Sequence, residues 1–177
     1  CVFDFDPQRK RIFVELHVRI GERRIRQAAT ERIQRLFGHI DIVKNSERLF
    51  DRVIVVPSYI SPFKAGELAD DGAARYKLCK KVFESDKTEV SRYEISKKGV
   101  SYSVDTAAYY KKKYADAELY WILGSEELIR LGGWRNMDKL KTLVTFFVVP
   151  RPGFAPTDAL LKELKRNKIK IKFAKFI

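Results

Sequence analysis

The chain has 177 residues, with 36 lysines and arginines against 23 aspartates and glutamates, which give a formal net charge of +13 at pH 7. This length normally makes one domain with a real core, and no uncharged run is long enough to span a membrane. A surface this basic attracts polyanions in general, so nucleotides, RNA and anionic membranes are all compatible partners.

The cysteines and the absence of a signal-peptide pattern indicate in which cellular compartment the protein is expected. Cys1 and Cys79 are the two cysteines of the sequence, and they make neither a disulfide framework nor a metal site. No signal-peptide pattern is visible, and the chain opens on Cys1 rather than Met, so we expect the natural start to lie upstream. We therefore expect a cytoplasmic protein with no membrane partner and no protein-bound metal.

Residues 1–37 are an atypical or inserted segment of one predicted domain, residues 1–177. The opening CVFDFDP reads as a short strand. RIFVELHVRI alternates apolar and polar residues, which predicts a half-exposed strand that could form a hairpin with the first one. ERRIRQAATERIQRLF then predicts an amphipathic helix.

Gly38 and His39 come directly before a helix–strand unit. Apolar residues at near-helical spacing follow them, and residues 52–56 read as a buried strand. A helix that begins at Gly38 would offer free N–H groups and the positive end of its dipole, where phosphate binds readily. We predict that His39 lies in the first turn of this helix and faces a pocket. The alternative is that the preceding helix ends at Gly38, which would leave His39 on a surface loop.

Strands and helices alternate along the rest of the chain. Strands are predicted near residues 52–56, 88–95, 118–123 and 144–149, and again at 168–173. This alternation predicts a mostly parallel sheet with helices on both faces. Ligands of such folds bind beyond the carboxyl ends of the strands, so the residues that follow each strand are candidate site residues. We expect Pro57, Gly124 and Pro150 to share that edge.

Two helices carry more detailed predictions. The helix over residues 67–85 should turn Ala74, Leu78 and Val82 inward. The helix that opens in Ser-Tyr-Ser-Val-Asp-Thr has Ser103 or Asp105 available as its cap.

The motifs of residues 38–153, in their order, resemble those of the bacterial nicotinic acid mononucleotide adenylyltransferases. VPSYISPFK is similar to that family's VPS-x-x-x-PHK, SYSVDT to SYT-x-x-T, Gly-Ser-Glu to GSD, and VVPRPG to VV-x-RPG. Gly38-His39 match the end of the His/Thr-x-Gly-His signature of the wider nucleotidyltransferase superfamily, and Trp134 matches a tryptophan after L-x-x-W. The segment after Gly38 also looks like phosphopantetheine adenylyltransferase, which lacks the SYT, tryptophan and RPG landmarks.

The resemblance implies an α/β, Rossmann-like nucleotidyltransferase fold and adenylyl transfer from ATP, with Mg²⁺, to nicotinic acid (or nicotinamide) mononucleotide. His39 would be the catalytic donor to the phosphates, and Trp134 would stack on the pyridine ring. The implied ATP-binding residues are Gly38, His39, Gly124, Glu126 and Arg151. The implied substrate-binding residues are Ser103, Thr106, Trp134, Arg135 and Lys64, with the backbone amides of Ser103 and Arg135 at the pyridine carboxylate.

Three departures from the family pattern predict weak or absent activity. Asp4 and Phe5 stand where the family has glycines, Leu36 stands in place of the first histidine, and no ISST-x-x-R segment occurs before Ile177. The alternative function is a catalytically degenerate protein that binds a nucleotide, RNA or a protein partner. The sequence leaves open a homo-oligomer and the choice between the acid and amide substrates, and nucleic acid is compatible but not favoured.

Overall fold

The computed structural model describes residues 9–14, 27–62 and 72–175. The strands in this part of the chain are β1 (Arg11–Val14), β2 (Arg52–Val55), β3 (Thr88–Val90), β4 (Glu118–Gly124), β5 (Thr145–Val149) and β6 (Ile171–Phe173). The helices are α1 (Gln27–Leu49), α2 (Gly72–Phe83), α3 (Tyr93–Lys97), α4 (Ser103–Lys113), α5 (Met137–Leu143) and α6 (Asp158–Arg166). A 3₁₀ segment covers Ser125–Gly133. None of the described helices is long and apolar enough to cross a membrane.

The six strands form one sheet in the order β3-β2-β1-β4-β5-β6, and every neighbouring pair is parallel. This is the strand order of a doubly wound α/β fold, whose switch point lies between β1 and β4. The prediction of a mostly parallel Rossmann-like sheet is confirmed. Because all strands run the same way, Pro57, Gly124 and Pro150 lie at the carboxyl edge, as predicted.

Helices cover both faces of the sheet, and the alternation along β4 shows why. Leu119, Trp121 and Leu123 pack in one core cluster, together with side chains of α4, α5 and α6. Tyr120 and Ile122 point to the opposite face, where they join side chains of α1 and α2. Successive side chains of a strand point to opposite faces, so a strand buried on both sides reads as one continuous apolar run.

Strand β1 corrects the prediction for the first segment. It lies at the centre of the sheet, paired with β2 on one side and β4 on the other, and Ile12 and Val14 are 4% and 0% exposed. A hairpin needs a free edge, and here parallel neighbours occupy both edges. The alternating pattern that predicted a half-exposed strand is therefore misleading at residues 11–14. The opening CVFDFDP and residues 15–20 lie outside the described residues.

The strand predicted over residues 88–95 is shorter than expected. Strand β3 ends at Val90, and α3 begins at Tyr93. Ser91 causes the change, because its backbone N–H donates the last ladder hydrogen bond to Val55 while its Oγ accepts a hydrogen bond from the Tyr93 N–H, 3.1 Å away. A serine that bonds the backbone two residues ahead favours a turn over continued strand.

The buried face of α2 also differs from the prediction. Gly72, Cys79 and Phe83 are buried, whereas Ala74 and Leu78 are exposed and Val82 is half-buried. Gly72 sets this orientation, since a Cβ there would lie 3.0 Å from the Ile95 side chain. The face of α2 that contains Gly72 therefore packs closely against α3.

Cys79 is expected to resist alkylation at pH 8 in the folded protein and to react once the protein unfolds. Burial raises the pKa of its thiol from 9.0 to about 12, against a smaller lowering by Arg75, and the thiolate is the reactive form. The raised pKa contributes stability that is complete below pH 9 and is lost as the pH rises toward 12. Mass spectrometry of the peptide that contains Cys79, after labelling with and without denaturant, tests this. Rapid labelling of the native protein would contradict it.

Candidate active site

A cavity of about 590 Å³ opens at the carboxyl edge of the sheet. Its walls come from α1, the segment after β2, the start of α4, the ends of β4 and β5, and the 3₁₀ segment with the residues after it. Its volume and position are those of a small-molecule site in an open α/β fold. The lining residues are His39, Ile42, Ser61, Pro62, Ser101, Tyr102, Ser103, Trp121, Ile122, Leu123, Gly124, Glu126, Glu127, Gly133, Trp134, Arg135, Val149 and Arg151.

His39 lines this cavity from the interior of a helix. Helix α1 runs without a break from Gln27 to Leu49, so neither the predicted start nor the alternative end lies at Gly38. The backbone N–H groups just after His39 bond within the helix and are not free to bind phosphate, because only the first turn of a helix has unsatisfied N–H groups. The prediction that a helix begins at His39 is therefore wrong. The side chain of His39, and not the backbone after it, can contact a ligand in the cavity.

Gly38 does not line the cavity. It is exposed, and a Cβ built on it meets no described atom within 4 Å, apart from its own helix backbone and chain neighbours. The predicted close passage of the Gly38 backbone by a phosphate therefore has no support in the described geometry. Glycine inside a helix costs about 1 kcal/mol relative to alanine, an amount that tertiary packing of a long helix offsets.

Glu126 and Arg151 form an ion pair beside the end of β4. The distance from Arg151 Nη1 to Glu126 Oε1 is 3.0 Å, and Ser125 Oγ accepts the Arg151 backbone N–H at 3.0 Å. The carboxylate folds back over Gly124, where a Cβ would lie 2.1 Å from Glu126 Oε2. Among the described residues Oε2 is buried and has no hydrogen-bond partner. A carboxylate is thus held at the cavity wall, with one oxygen paired with Arg151 and the other packed against Gly124.

Trp134 lines the same cavity as Ser103 and Gly124. It is half-buried, and its ring meets Phe146 edge-on with centroids 6.3 Å apart. A ring anchored on one edge and open to the cavity can stack on a flat ligand. The predicted partly exposed position at a pocket with Ser103 and Gly124 is confirmed.

The start of α4 contributes Tyr102 and Ser103 to the cavity. Tyr102 is the N-cap residue, and no side chain caps the helix, so the predicted cap by Ser103 or Asp105 is wrong. Asp105 instead pairs with Lys97, whose Nζ lies 2.7 Å from Oδ2. An uncapped helix start leaves its first N–H groups for water or a ligand.

One described residue that was predicted to bind the substrate, Thr106, does not line the cavity. Thr106 is 1% exposed and its hydroxyl donates to the buried Glu94 carboxylate, so its side chain supports the packing of α3 on α4 and does not line the cavity. Lys64 lies outside the described residues.

Several lining residues were not predicted as site residues. Ser101 and Tyr102 begin the same SYSVDT run, Ser61 lies in VPSYISPFK, and Glu127 follows Glu126. The Ser101 backbone N–H donates to Ile60, and Ser101 Oγ accepts the Tyr59 N–H at 3.0 Å, which ties these two segments together. The motifs could have predicted these residues, because the sequence neighbours of a site residue often line the same wall of a cavity.

Comparison with known proteins identifies related sequences and folds. The profile of the cytidylyltransferase-like family matches residues 37–172. A probable nicotinate-nucleotide adenylyltransferase of Clostridium novyi is 36% identical over 143 residues, which cover 79% of this chain and 70% of that protein. One of Aliarcobacter butzleri is 38% identical over 120 residues, 66% of this chain and 65% of that protein.

A solved structure shares the fold at low sequence identity. The Plasmodium falciparum nicotinic acid mononucleotide adenylyltransferase, complexed with NaAD, superposes with a TM-score of 0.66 at 12% identity, over 94% of this chain and 74% of that one. The similarity extends over nearly the whole chain and therefore supports the architecture given above.

Proposed function

The chain belongs to the cytidylyltransferase-like family, with the nicotinate-nucleotide adenylyltransferases, and we propose on this basis that it catalyses adenylyl transfer. ATP and nicotinic acid mononucleotide, or its amide, are the substrates, and the dinucleotide and pyrophosphate are the products. The observation that carries the proposal is one cavity that brings together His39, Trp134 and the Glu126–Arg151 pair from separate segments. We also propose the cytoplasm as the compartment, consistent with the free thiol of Cys79.

The reaction needs no protein nucleophile. An oxygen of the mononucleotide 5′-phosphate attacks the α-phosphorus of ATP, a new P–O bond forms, and the bond to the bridging oxygen breaks as pyrophosphate leaves with the electron pair. Catalysis then depends on positioning the two phosphates and on stabilising the charge on the transferring group. His39 donates a hydrogen bond to that group, and Trp134 positions the pyridine ring by stacking.

The charged and polar side chains of the cavity wall differ in whether they already have a partner within the protein. Glu126 already pairs with Arg151, and its carboxylate on the cavity wall accepts a hydrogen bond from a ribose hydroxyl of ATP. Arg135 and His39 provide further donors for anionic groups. Anionic substrates therefore meet donors on several walls, which orients both phosphates for in-line attack.

Magnesium enters with ATP. No group of three or more His, Cys, Asp or Glu side chains in the described part of the chain is placed to hold a metal ion. Mg²⁺ usually binds through substrate phosphates and water with one or two carboxylates, and Glu127 on the cavity wall would be the carboxylate that holds it. When bound, the ion neutralises charge on the pyrophosphate.

The test is pyrophosphate release that depends on both substrates. With ATP, Mg²⁺ and nicotinic acid mononucleotide, we expect release above the rate seen with either substrate alone. The replaced glycines and first histidine predict turnover below about 1 per second, slower than a typical enzyme. Turnover above that value would show that these departures matter less than the family pattern implies. Release that does not depend on the mononucleotide would contradict the proposed reaction.

Gly124→Ala is expected to raise the KM for ATP about tenfold. The new Cβ would meet Glu126 Oε2 at 2.1 Å, so the carboxylate must move from the wall and lose the hydrogen bond to the nucleotide. The melting temperature should change little, because the displaced group is the end of a flexible side chain. Gly132→Ala is the matched control, since a Cβ there meets no described atom within 4 Å. Equal KM values in both variants would contradict the role of Glu126.

A further inference from the structure

A buried hydrogen bond joins α3 to α4. Glu94 of α3 is 2% exposed and Thr106 of α4 is 1% exposed, and the Thr106 hydroxyl donates to Glu94 Oε1. Within the described part of the chain, Glu94 Oε2 has no hydrogen-bond partner. Burial of a carboxylate is costly unless the group is hydrogen-bonded or paired with a charge. The Thr106 hydroxyl therefore compensates this carboxylate for the loss of water, and the reaction proposed above uses neither side chain.

The bond joins the two ends of a segment that contributes to the cavity wall. Ser101, Tyr102 and Ser103 lie between Glu94 and Thr106 in the sequence, and all three line the cavity. Thr106 also holds this segment through its backbone, because its N–H donates to the Tyr102 carbonyl at 3.3 Å. Thr106 thus contacts Glu94 through its side chain and Tyr102 through its backbone. A displacement of Thr106 would move the start of α4.

The connection between α3 and α4, residues 98–102, has an unfavourable backbone conformation. Lys98 has φ 59° and ψ 172°, and Gly99 follows with φ 74°. Residues other than glycine rarely adopt a positive φ, and such a conformation persists only where the surrounding structure holds it. The bond between Glu94 and Thr106 holds the two helices that flank this connection. Loss of the bond would let the connection relax and would shift the residues that line the cavity.

Tyr102 links this segment to the side of the cavity proposed for the mononucleotide. The guanidinium carbon of Arg135 lies 4.2 Å from the centroid of the Tyr102 ring, within the range of a cation–π contact. Arg135 directly follows Trp134, the proposed ring-stacking residue. Glu126 and Arg151, which are proposed for ATP, follow β4 and β5 and are not part of this segment. A shift of Tyr102 should therefore affect the mononucleotide more than ATP.

We propose that the hydrogen bond of Thr106 to Glu94 sets the affinity of the cavity for the mononucleotide by holding the start of α4 in place. This inference rests on the proposed function. Thr106 and Glu94 are positioning residues, since neither lines the cavity, and they act through Tyr102 and Ser103. The threonine that was predicted to bind the substrate directly thus acts on it indirectly.

The experiment measures kcat and both KM values in matched variants. Thr106→Val replaces the hydroxyl by a methyl group, and Glu94→Met removes the carboxylate at similar side-chain length. Each should raise the KM for nicotinic acid mononucleotide about tenfold and leave kcat and the KM for ATP within about threefold. Thr106→Ser and Glu94→Gln keep a donor and an acceptor, so their KM for the mononucleotide should stay within about threefold of the unmodified protein.

The double variant Thr106→Val with Glu94→Met covers the case in which a single variant fails to fold. It removes both polar partners, so no buried group is left unpaired. Its KM for the mononucleotide should also rise about tenfold and no further, because one bond is lost in all three variants and coupled residues are not additive. An unchanged KM in a folded double variant would overturn the inference.

Leu164→Ala is the control for a general loss of stability. Leu164 is 4% exposed in α6, outside the segment between Glu94 and Thr106. This variant should lower the melting temperature and keep the KM for the mononucleotide within about twofold. If Leu164→Ala raises that KM as much as Thr106→Val does, or if Thr106→Val raises both KM values equally, the positioning role is wrong although the enzyme is active.

Failure of the proposed function is a separate outcome. If the unmodified protein makes no dinucleotide, titration with nicotinic acid mononucleotide alone, followed by tryptophan fluorescence, still decides the inference. Affinity that falls about tenfold in Thr106→Val and returns in Thr106→Ser supports it. Equal affinities in the three proteins, or no binding by the unmodified protein, overturn it.

Discussion

His39→Ala is expected to lower kcat by about two to three orders of magnitude, the usual cost of removing one positioned donor from a charged transition state. The dissociation constant of ATP should change by less than about threefold, because the donor acts mainly on charge that develops during transfer. Alanine favours the helix, so α1 should keep its fold around the new residue. Single-turnover kinetics and equilibrium titration with ATP separate the two effects.

The control for His39 lies on the same helix. Lys44 is exposed and does not line the cavity, so Lys44→Ala changes the charge of α1 without changing the site. This variant should keep kcat within about twofold. Should His39→Ala weaken ATP binding as much as it lowers kcat, His39 would be a ground-state binding residue and its catalytic assignment would be wrong.

The two tryptophans of the chain are expected to respond differently to replacement by alanine. Trp121 is 1% exposed in β4; it belongs to the core and forms part of the cavity wall. Trp121→Ala should lower the free energy of unfolding by about 3–5 kcal/mol, the usual cost of truncating a buried tryptophan. Denaturant titration of both alanine variants measures this, and the loss in Trp134→Ala should be clearly smaller because Trp134 is only half-buried.

Mononucleotide binding should be weakened more by Trp134→Ala than by Trp121→Ala, which is the opposite of the order for stability. Trp134→Ala should raise the KM for the mononucleotide about ten- to a hundredfold, the range expected from losing a ring stack worth about 1–3 kcal/mol. Trp121→Phe keeps most of the core volume and leaves Trp134 as the sole tryptophan, so quenching of its fluorescence reports the ligand directly. A Trp134→Ala variant that loses stability but binds the mononucleotide normally would assign Trp134 to the core.

The sequence predicted the sheet well because apolar runs bounded by proline and glycine leave few alternatives. Residues 52–56, 118–123 and 144–149 are such runs, and their common parallel edge follows from the helices between them. Strand β1 was misread for a physical reason. Its alternation indicates one exposed face, but burial depends on the elements packed around the strand: β2 and β4 at its edges, and helices such as α4 over its face. The chain reaches these elements only later.

The site was harder to predict where local signals compete with tertiary packing. Gly38 looked like a helix boundary, yet α1 continues through it, because Val43 and Phe50 pack the helix on the sheet and outweigh the small cost of one glycine. The pairing of Tyr102 with Arg135 left no pattern in the sequence, since the two residues meet only through the fold. The ion pair of Glu126 with Arg151 was hidden for the same reason, although each residue was predicted separately.

Direct detection of the dinucleotide is the sharpest test of adenylyl transfer in this cavity. The protein is incubated with ATP, Mg²⁺ and nicotinic acid mononucleotide, and the products are separated by chromatography and identified by mass. We predict equal amounts of the dinucleotide and pyrophosphate, and about a hundredfold less of both with His39→Ala. No dinucleotide with the unmodified protein, or the same yield with His39→Ala, would contradict the account.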